Sequence, residues 1–161
     1  MKHPQGLQPL PSEGAALFNA VRNARTRDVE QLLGKGCDPN LRDPLTGNTA
    51  LRLAAGLNRL SIARMLLEAG ANPNVGNVLD CMPLHVAVAA LQNRDGEERP
   101  PNLRLAQLLL TYDADPDARD CDGRKAIDFA ADPEQFAALL AKRLSKRLPL
   151  APAKPVEKER P

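Results

Sequence analysis

The sequence predicts an all-α solenoid in which one short helix pair recurs about four times along the chain. Residues 36–40, 70–74 and 113–117 read Gly-Cys-Asp-Pro-Asn, Gly-Ala-Asn-Pro-Asn and Asp-Ala-Asp-Pro-Asp. The first two segments begin 34 residues apart, and the last two begin 43 residues apart. A unit of about 33 residues therefore recurs, and its third copy carries an insertion of roughly ten residues. Stacked arrays of such units present extended binding surfaces and seldom catalyse reactions.

Each unit carries an amphipathic helix just before its closing segment. In the second unit the predicted apolar stripe consists of Ile62, Leu66, Leu67 and Ala69. Arg64 and Glu68 stand four residues apart on the other side of this helix, where water is expected. A helix pair this short cannot bury its stripe alone. Neighbouring pairs are therefore expected to stack and to share one aliphatic core.

The rest of each unit keeps the same register. Residues 82–87 read Met-Pro-Leu-His-Val-Ala, and Leu-Leu pairs stand at 32–33, 66–67 and 109–110, just before the closing segments. These motifs resemble the ankyrin repeat, whose first helix begins with Thr-Pro-Leu-His-x-Ala and whose second helix ends with Leu-Leu-x-x-Gly-Ala. The resemblance covers about residues 13–148. It implies stacked helix-turn-helix units with short β-hairpin loops between them.

The resemblance also divides the chain. The implied repeats lie at about 13–43, 44–77, 78–120 and 121–148. The fourth begins correctly at 120–130 and is then shortened, as expected of a terminal capping unit. Asp113 replaces the glycine that closes the second helix, and we expect it to adopt the same left-handed conformation. Residues 1–12 are expected to be disordered, and residues 149–161 are expected to form a disordered, Pro-rich basic tail.

The insertion in the third repeat runs roughly from Gln92 to Asn102. Its charges and prolines predict a solvated loop between the two helices, after a first helix that extends through Leu91. Repeats accept such insertions at little cost. The insertion is therefore either neutral or a second contact that determines which partner binds.

A strong helix start follows the fourth repeat. Asp132 is the predicted N-cap, with Pro133 in the first turn and Gln135 placed for a capping box. Pro149 is expected to end this helix. Prolines then recur every third residue to 155, a spacing that resembles polyproline II and an SH3 ligand. A solubilising tail is the simpler interpretation, and acidic partners or a membrane surface are the next.

Composition excludes several classes of protein. Residues 1–140 hold 15 basic and 18 acidic side chains, while 141–161 hold 7 basic and 2 acidic. The body has neither a basic stripe nor aromatic platforms, so nucleic-acid binding is not expected. The first residues lack the apolar core of a signal peptide, and no run of 18 apolar residues predicts a membrane span. The Ala/Arg/Leu/Pro-rich composition suggests a bacterial source.

Three cysteines, Cys37, Cys81 and Cys121, are far apart and show no Cys-x-x-Cys pairing. This pattern is typical of a reducing compartment, so a cytoplasmic location is expected. Cys81 and Cys121 fall in neighbouring hairpins and could approach each other, although free thiols are the simpler interpretation.

No catalytic or metal-binding set emerges, and no cofactor is expected. The resemblance assigns His85 the structural role of tying a hairpin to a helix, and His3 stands near the start of the chain. A zinc site of Cys81, His85 and Cys121 would lack a fourth ligand. The carboxylates of 113–124 resemble a calcium loop, but the required Gly and Glu are absent from its sixth and twelfth positions.

In ankyrin arrays the hairpin tips and first helices line a concave face on which partners dock. Carried over to positions that folding does not need, the predicted contact residues are Arg22, Asn23, Pro44, Leu45, Asn48, Leu57, Val78, Leu79, Cys81, Ala89, Ala90, Cys121, Asp122 and Arg124. Leu45, Leu57, Val78 and Leu79 are informative, because aliphatic side chains at such tips indicate an apolar patch for a protein partner. The alternative is that they pack between neighbouring hairpins.

The expected function is that of a non-catalytic, monomeric scaffold that recognises a folded protein through its concave face. It would mask or stabilise that partner, as an inhibitor, immunity or chaperone-like protein does. The alternative is a bacterial effector or adaptor that recruits a partner through the array and the Pro-rich tail. Neither a nucleic acid nor a small-molecule substrate is expected.

Overall fold

The structure is a computed structural model that describes residues 12–89, 91–92, 98–99 and 101–146. Within these ranges the elements, in chain order, are α1 Ser12–Arg22, α2 Thr26–Gly34, α3 Ala50–Gly56, α4 Leu60–Glu68, α5 Pro83–Val88, β1 Leu91–Gln92, β2 Glu98–Arg99, α6 Leu103–Thr111, α7 Ala126–Phe129 and α8 Pro133–Lys146. Apart from Ser12, which begins α1, the predicted disordered segments 1–12 and 149–161 lie outside the described residues.

The helices form two layers. The first helices of successive repeats, α1, α3, α5 and α7, pack side by side, and the second helices, α2, α4, α6 and α8, pack in the same order behind them. Within each repeat the two helices also pack against each other. The predicted all-α solenoid of stacked helix pairs is therefore confirmed.

The core between the layers is mainly aliphatic, as predicted, and Phe136 of α8 is its fully buried aromatic member. Its fully buried members include Leu17, Leu51, Ile62, Leu66, Leu84, Leu105 and Leu109. Arg64 and Glu68 are exposed, as expected. The predicted stripe of α4 was wrong at Ala69, which is exposed because the helix ends before it, and Ala63 is buried instead.

The helix ends follow the predicted chemistry. The Asp132 side chain accepts a hydrogen bond from the Gln135 amide at 2.9 Å, which confirms the predicted N-cap of α8. After the second helices, Gly36, Gly70 and Asp113 have φ angles of 88°, 91° and 62°. Asp113 thus adopts the left-handed conformation predicted for it, where a side chain costs more than glycine does.

Side-chain amides connect the closing segments of successive repeats. Asn40 Nδ2 donates to the carbonyl of Gly70 at 3.0 Å, and its Oδ1 accepts from the amide of Asn72 at 2.7 Å. Asn74 repeats both bonds one unit later, at 2.9 and 2.7 Å. Asp117 holds this position in the third repeat, where a carboxylate cannot donate to the next unit. The stacking of successive repeats is thus stabilised by polar as well as apolar contacts.

The first helix of the third repeat is shorter than predicted. It was expected to extend through Leu91, but α5 ends at Val88. Ala89 is extended backbone that forms an antiparallel bridge with Ala130, beyond α7. The carbonyl of Val88 accepts from the amide of Ala131 at 3.1 Å, so contact with the fourth repeat replaces the next helical turn.

Part of the insertion is paired strand rather than the predicted loop. β1 and β2 pair antiparallel, with Leu91 opposite Arg99, and residues 93–97 lie outside the described residues. The chain returns at Asn102, whose amide donates to the carbonyl of Ala87 at 2.9 Å. The described residues of the insertion are therefore two short paired strands, and Asn102 after them is hydrogen-bonded to α5.

No helix in the described part of the chain is both long enough and apolar enough to cross a membrane.

Candidate protein-binding surface

The hairpin tips before repeats two, three and four share one side-chain turn. Asp43, Asn77 and Asp120 begin these tips, and the Oδ1 of each accepts the amide two residues further along at 3.0 Å. The backbone hydrogen bond from Thr46 to the Asp43 carboxylate is the main cause that holds the pKa of Asp43 below its ordinary value. Each tip is therefore fixed by its own sequence.

Neighbouring tips are also joined to each other. The amide of Val78 donates to the carbonyl of Thr46 at 3.1 Å, and the amide of Cys121 donates to the carbonyl of Leu79 at 3.0 Å. These bonds occupy the same register one repeat apart. The three tips are therefore held together as one surface.

Three aliphatic side chains project from this surface. Leu45, Val78 and Leu79 are 78%, 63% and 56% exposed, and we call them the apolar ridge. The alternative that they pack between hairpins is wrong for these three residues. It holds in part for Leu57, which is half-buried just after α3. Exposed aliphatic groups of this kind are typical of a protein-interaction site.

Two arginines, Arg42 just before the second tip and Arg52 in α3, support the ridge by hydrogen bonds to the next repeat. Arg52, which stands where the motif has its His, donates from Nε to the carbonyl of Cys81 at 2.7 Å and from Nη1 to Asn48 Oδ1 at 2.6 Å. Arg42 donates from Nη2 to the carbonyl of Gly76 at 3.0 Å. Predicted contact residues Asn48 and Cys81 are half-buried and take part in this bracing.

The remaining predicted contact residues occupy several places on the surface. Arg22 and Asn23 are exposed at the end of α1, Pro44 is half-buried beside Leu45, Ala89 is half-buried after α5, and Cys121, Asp122 and Arg124 are exposed at the fourth tip. Ala90 lies outside the described residues. The structure thus brings the tip residues together, whereas Arg22 and Asn23 lie apart from them at the end of α1 in the first repeat.

A row of half-buried apolar residues was missed. Leu53, Val86 and Phe129 stand at equivalent positions of α3, α5 and α7 and pack only partly into the core. Sequence register could have found them, because each follows the fourth residue of the motif that starts the first helix. They add partly exposed apolar groups on the first helices.

One arginine at the fourth tip pairs with two carboxylates. Arg124 Nη2 lies 2.9 Å from an Asp120 oxygen and 2.6 Å from an Asp122 oxygen, and its guanidinium lies 4.7 Å from the centre of the Phe129 ring. Burial alone would raise the pKa of Asp120, but the hydrogen bonds from Arg124 hold that pKa below its ordinary value. This tip is thus a structured polar end to the apolar ridge.

His85 ties the third repeat to the fourth tip, as the resemblance implies. Its Nδ1 accepts from the amide of Met82 at 3.1 Å, so Nε2 carries the proton and donates to the carbonyl of Arg124 at 3.2 Å. The ring also meets Phe129 edge to face, with 5.4 Å between centroids. Burial is the main cause that lowers the pKa of His85 below its ordinary value.

These contacts argue against metal binding by the same residues. Nδ1 of His85 accepts from Met82 and Nε2–H donates to Arg124, so neither ring nitrogen is available for zinc. Asp120 and Asp117 of the calcium-like segment bond to Arg124 and Lys125. In the described ranges, no group of three or more His, Cys, Asp or Glu side chains could hold a metal ion.

The repeats, their tips and the connecting amides define a class of stacked helical binding proteins, and comparison with known families specifies it. A family model for ankyrin repeats, in three copies, matches residues 17–120. The chain belongs to the ankyrin-repeat family. Ankyrin repeats generally mediate protein–protein interaction and are generally non-catalytic.

Curated relatives are much longer proteins. The chain is 43% identical over 135 residues to human neurogenic locus notch homolog protein 4, which covers 80% of this chain and 6% of that protein. It is 36% identical over 104 residues to the E3 ubiquitin-protein ligase KEG of Arabidopsis thaliana, covering 65% and 6%. It is 31% identical over 122 residues to human ankyrin repeat and SOCS box protein 6, covering 74% and 27%. The chain therefore spans about a quarter or less of these relatives.

Proposed function

We propose that this protein is a non-catalytic scaffold that binds a folded protein partner through the apolar ridge and the adjoining first helices. The observation that carries the proposal is the exposure of Leu45, Val78 and Leu79 on tips that are held in place by hydrogen bonds. Exposure of these apolar side chains to water is unfavourable, so a partner that covers them is favoured. Because their positions are fixed, they can match a complementary apolar surface.

The energetics of the ridge support this role. Full burial of one Leu or Val side chain contributes about 1.5–3 kcal/mol. Since the three side chains are more than half exposed, covering them would contribute about 3–6 kcal/mol before the costs of association. The side-chain turns and the bonds between tips reduce those costs, because little backbone freedom remains to be lost on binding.

Masking or stabilising of the partner, in an inhibitor, immunity or chaperone-like role, is the mode we propose. A rigid surface that covers an apolar patch of another protein would block whatever else binds there. We propose further that the protein acts as a cytoplasmic monomer with the repeat domain at 13–148. Its widely spaced cysteines, without Cys-x-x-Cys pairing, support the reducing compartment.

The adaptor alternative uses the tail as a second ligand. Its support is the triplet spacing of prolines at 149, 152 and 155 together with seven basic residues in 141–161. Deletion of 149–161 separates the two modes. Under masking, partner affinity and inhibition survive the deletion, whereas under recruitment the second ligand is lost.

The experiment that tests the proposal is capture of partners from lysate of the source cells by the tagged protein. The test variant is Leu45→Glu/Leu79→Glu, with its fold checked by circular dichroism. A matched variant, Gln31→Glu/Ser61→Glu, adds the same two charges at exposed positions of the second helices. A partner retained by the wild type and the matched variant, and lost by the ridge variant, supports the proposal. Equal capture by all three refutes the role of the ridge.

A further inference from the structure

A groove of about 570 Å³ lies between α4 and α6, the second helices of repeats two and three. Its lining includes Arg64 from α4 and Arg104 from α6, and no residue of the apolar ridge. It belongs to the second helix layer, whereas the ridge belongs to the hairpins that precede the first layer. The groove is therefore a separate surface from the site described above.

The base of this groove is apolar. Leu108 contributes to it and is only 7% exposed, while Leu60 and Tyr112 line it and are half-buried. Thr111, on the rim, donates its hydroxyl to the carbonyl of Gln107 at 2.8 Å. A ligand in the groove would thus meet aliphatic and aromatic groups beneath and polar groups at the edge.

The charge of the groove has one sign. Arg64 and Arg104 line it, and no acidic residue does. Across the described ranges the ion pairs use Arg25, Arg124 and Lys125, so neither groove arginine belongs to one. Glu68 lies one turn after Arg64 but does not line the groove. Two exposed guanidinium groups therefore flank an apolar base with no counter-charge of their own.

We propose that this surface, the arginine groove, is a second binding site that takes a short acidic peptide segment with an aliphatic side chain. Carboxylates suit guanidinium groups because two parallel N–H···O bonds can form at each. Packed helices lie about 8–10 Å apart, which is within reach of carboxylates on alternate residues of an extended peptide, about 7 Å apart. The aliphatic side chain would cover Leu60, Leu108 and Tyr112.

A simple inorganic anion would use the arginines and leave the apolar base uncovered. The base therefore favours a peptide over free phosphate. It also predicts that affinity depends on both the charge and the apolar content of the ligand. The role is independent of the ridge, and either site can exist without the other.

The test is fluorescence anisotropy at low salt with a labelled peptide, Glu-Leu-Glu-Glu-Leu-Glu. We expect a Kd of about 0.1–1 mM, which corresponds to a weak single-segment contact. Peptides with Gln in place of Glu, or Ser in place of Leu, should each bind at least about threefold more weakly. The Leu45→Glu/Leu79→Glu variant should bind the peptide as the wild type does.

Protein variants assign the site. Arg64→Gln and Arg104→Gln should each weaken binding about threefold, and the double variant about tenfold, as expected for exposed ion pairs. Arg27→Gln is the matched control, because Arg27 is exposed on α2 and does not line the groove. No binding at millimolar peptide, an equal loss with Arg27→Gln, or equally tight binding of inorganic phosphate or an oligothymidylate would each overturn the proposal.

Discussion

Stacking of the repeats predicts that a leucine in the second repeat contributes more to stability than the equivalent leucine in the first repeat. Leu66 is 0% exposed in α4, which packs against both α2 and α6, while Leu32, at the equivalent position of α2, is half-buried. Replacing Leu66 by Ala removes apolar transfer free energy of about 2.5 kcal/mol. The cavity left in a core that cannot collapse raises the expected loss to about 3–5 kcal/mol.

The matched change Leu32→Ala should cost less, about 1–2 kcal/mol, since water already reaches part of that side chain. Urea denaturation followed by circular dichroism measures both free energies, and an unchanged m-value would show that the transition still covers the same surface. A loss below about 0.5 kcal/mol for Leu66→Ala, or equal losses at the two positions, would refute the stacking argument.

Three further predictions concern single side chains. Between about pH 7.5 and 5.5 the wild type should lose more stability than His85→Gln, because the buried ring has a lowered pKa and the unfolded chain, with a pKa of about 6.5, is protonated first. Denaturation at both pH values checks this, and an equal loss of stability in the two proteins would contradict it. Asn74→Ala should cost about 1–3 kcal/mol, because it removes two hydrogen bonds between repeats; a change near zero in urea denaturation would contradict that role. Ala24→Gly should stabilise the protein by about 0.5–1 kcal/mol, because Ala24 has a φ of 55°, which glycine adopts without strain. Ala15→Gly, within α1, should destabilise the protein by a similar amount. If thermal denaturation gave both changes the same sign, the backbone argument would be contradicted.

Local patterns predicted much of the fold. The stripe of α4 was identified at Ile62, Leu66 and Leu67, and the N-cap at Asp132, because these features depend on residues within one or two turns. The left-handed Asp113 was likewise visible from its place in the repeat. Because the repeats share one register, a local feature found in one unit predicts the same feature at the equivalent position of the next.

Features that depend on distant residues were missed. The early end of α5 follows from the bridge between Ala89 and Ala130, which lie far apart in sequence. The two bonds made by Asn74 likewise connect it to the next repeat across the insertion. No periodicity within a single repeat encodes these pairings, because they arise only when two units stack.

The candidate site was predicted in part. Leu45, Val78 and Leu79 were identified because they are apolar residues at tip positions, and in the structure all three are exposed. The row that contains Leu53 and Val86 was missed, because half-buried apolar residues on a first helix look like core residues in sequence. The sequence pattern distinguishes apolar residues from polar ones. Only the packing of the folded chain distinguishes core residues from residues of a contact surface.

The central claim is that the apolar ridge binds the partner, and the most direct test is the affinity of the purified partner for the Leu45→Ser/Leu79→Ser variant. We expect its Kd to rise at least about tenfold, which corresponds to about 1.4 kcal/mol, while Gln31→Ser/Ser61→Ala leaves it unchanged. An unchanged Kd for the ridge variant, with its unfolding free energy intact, would contradict the claim.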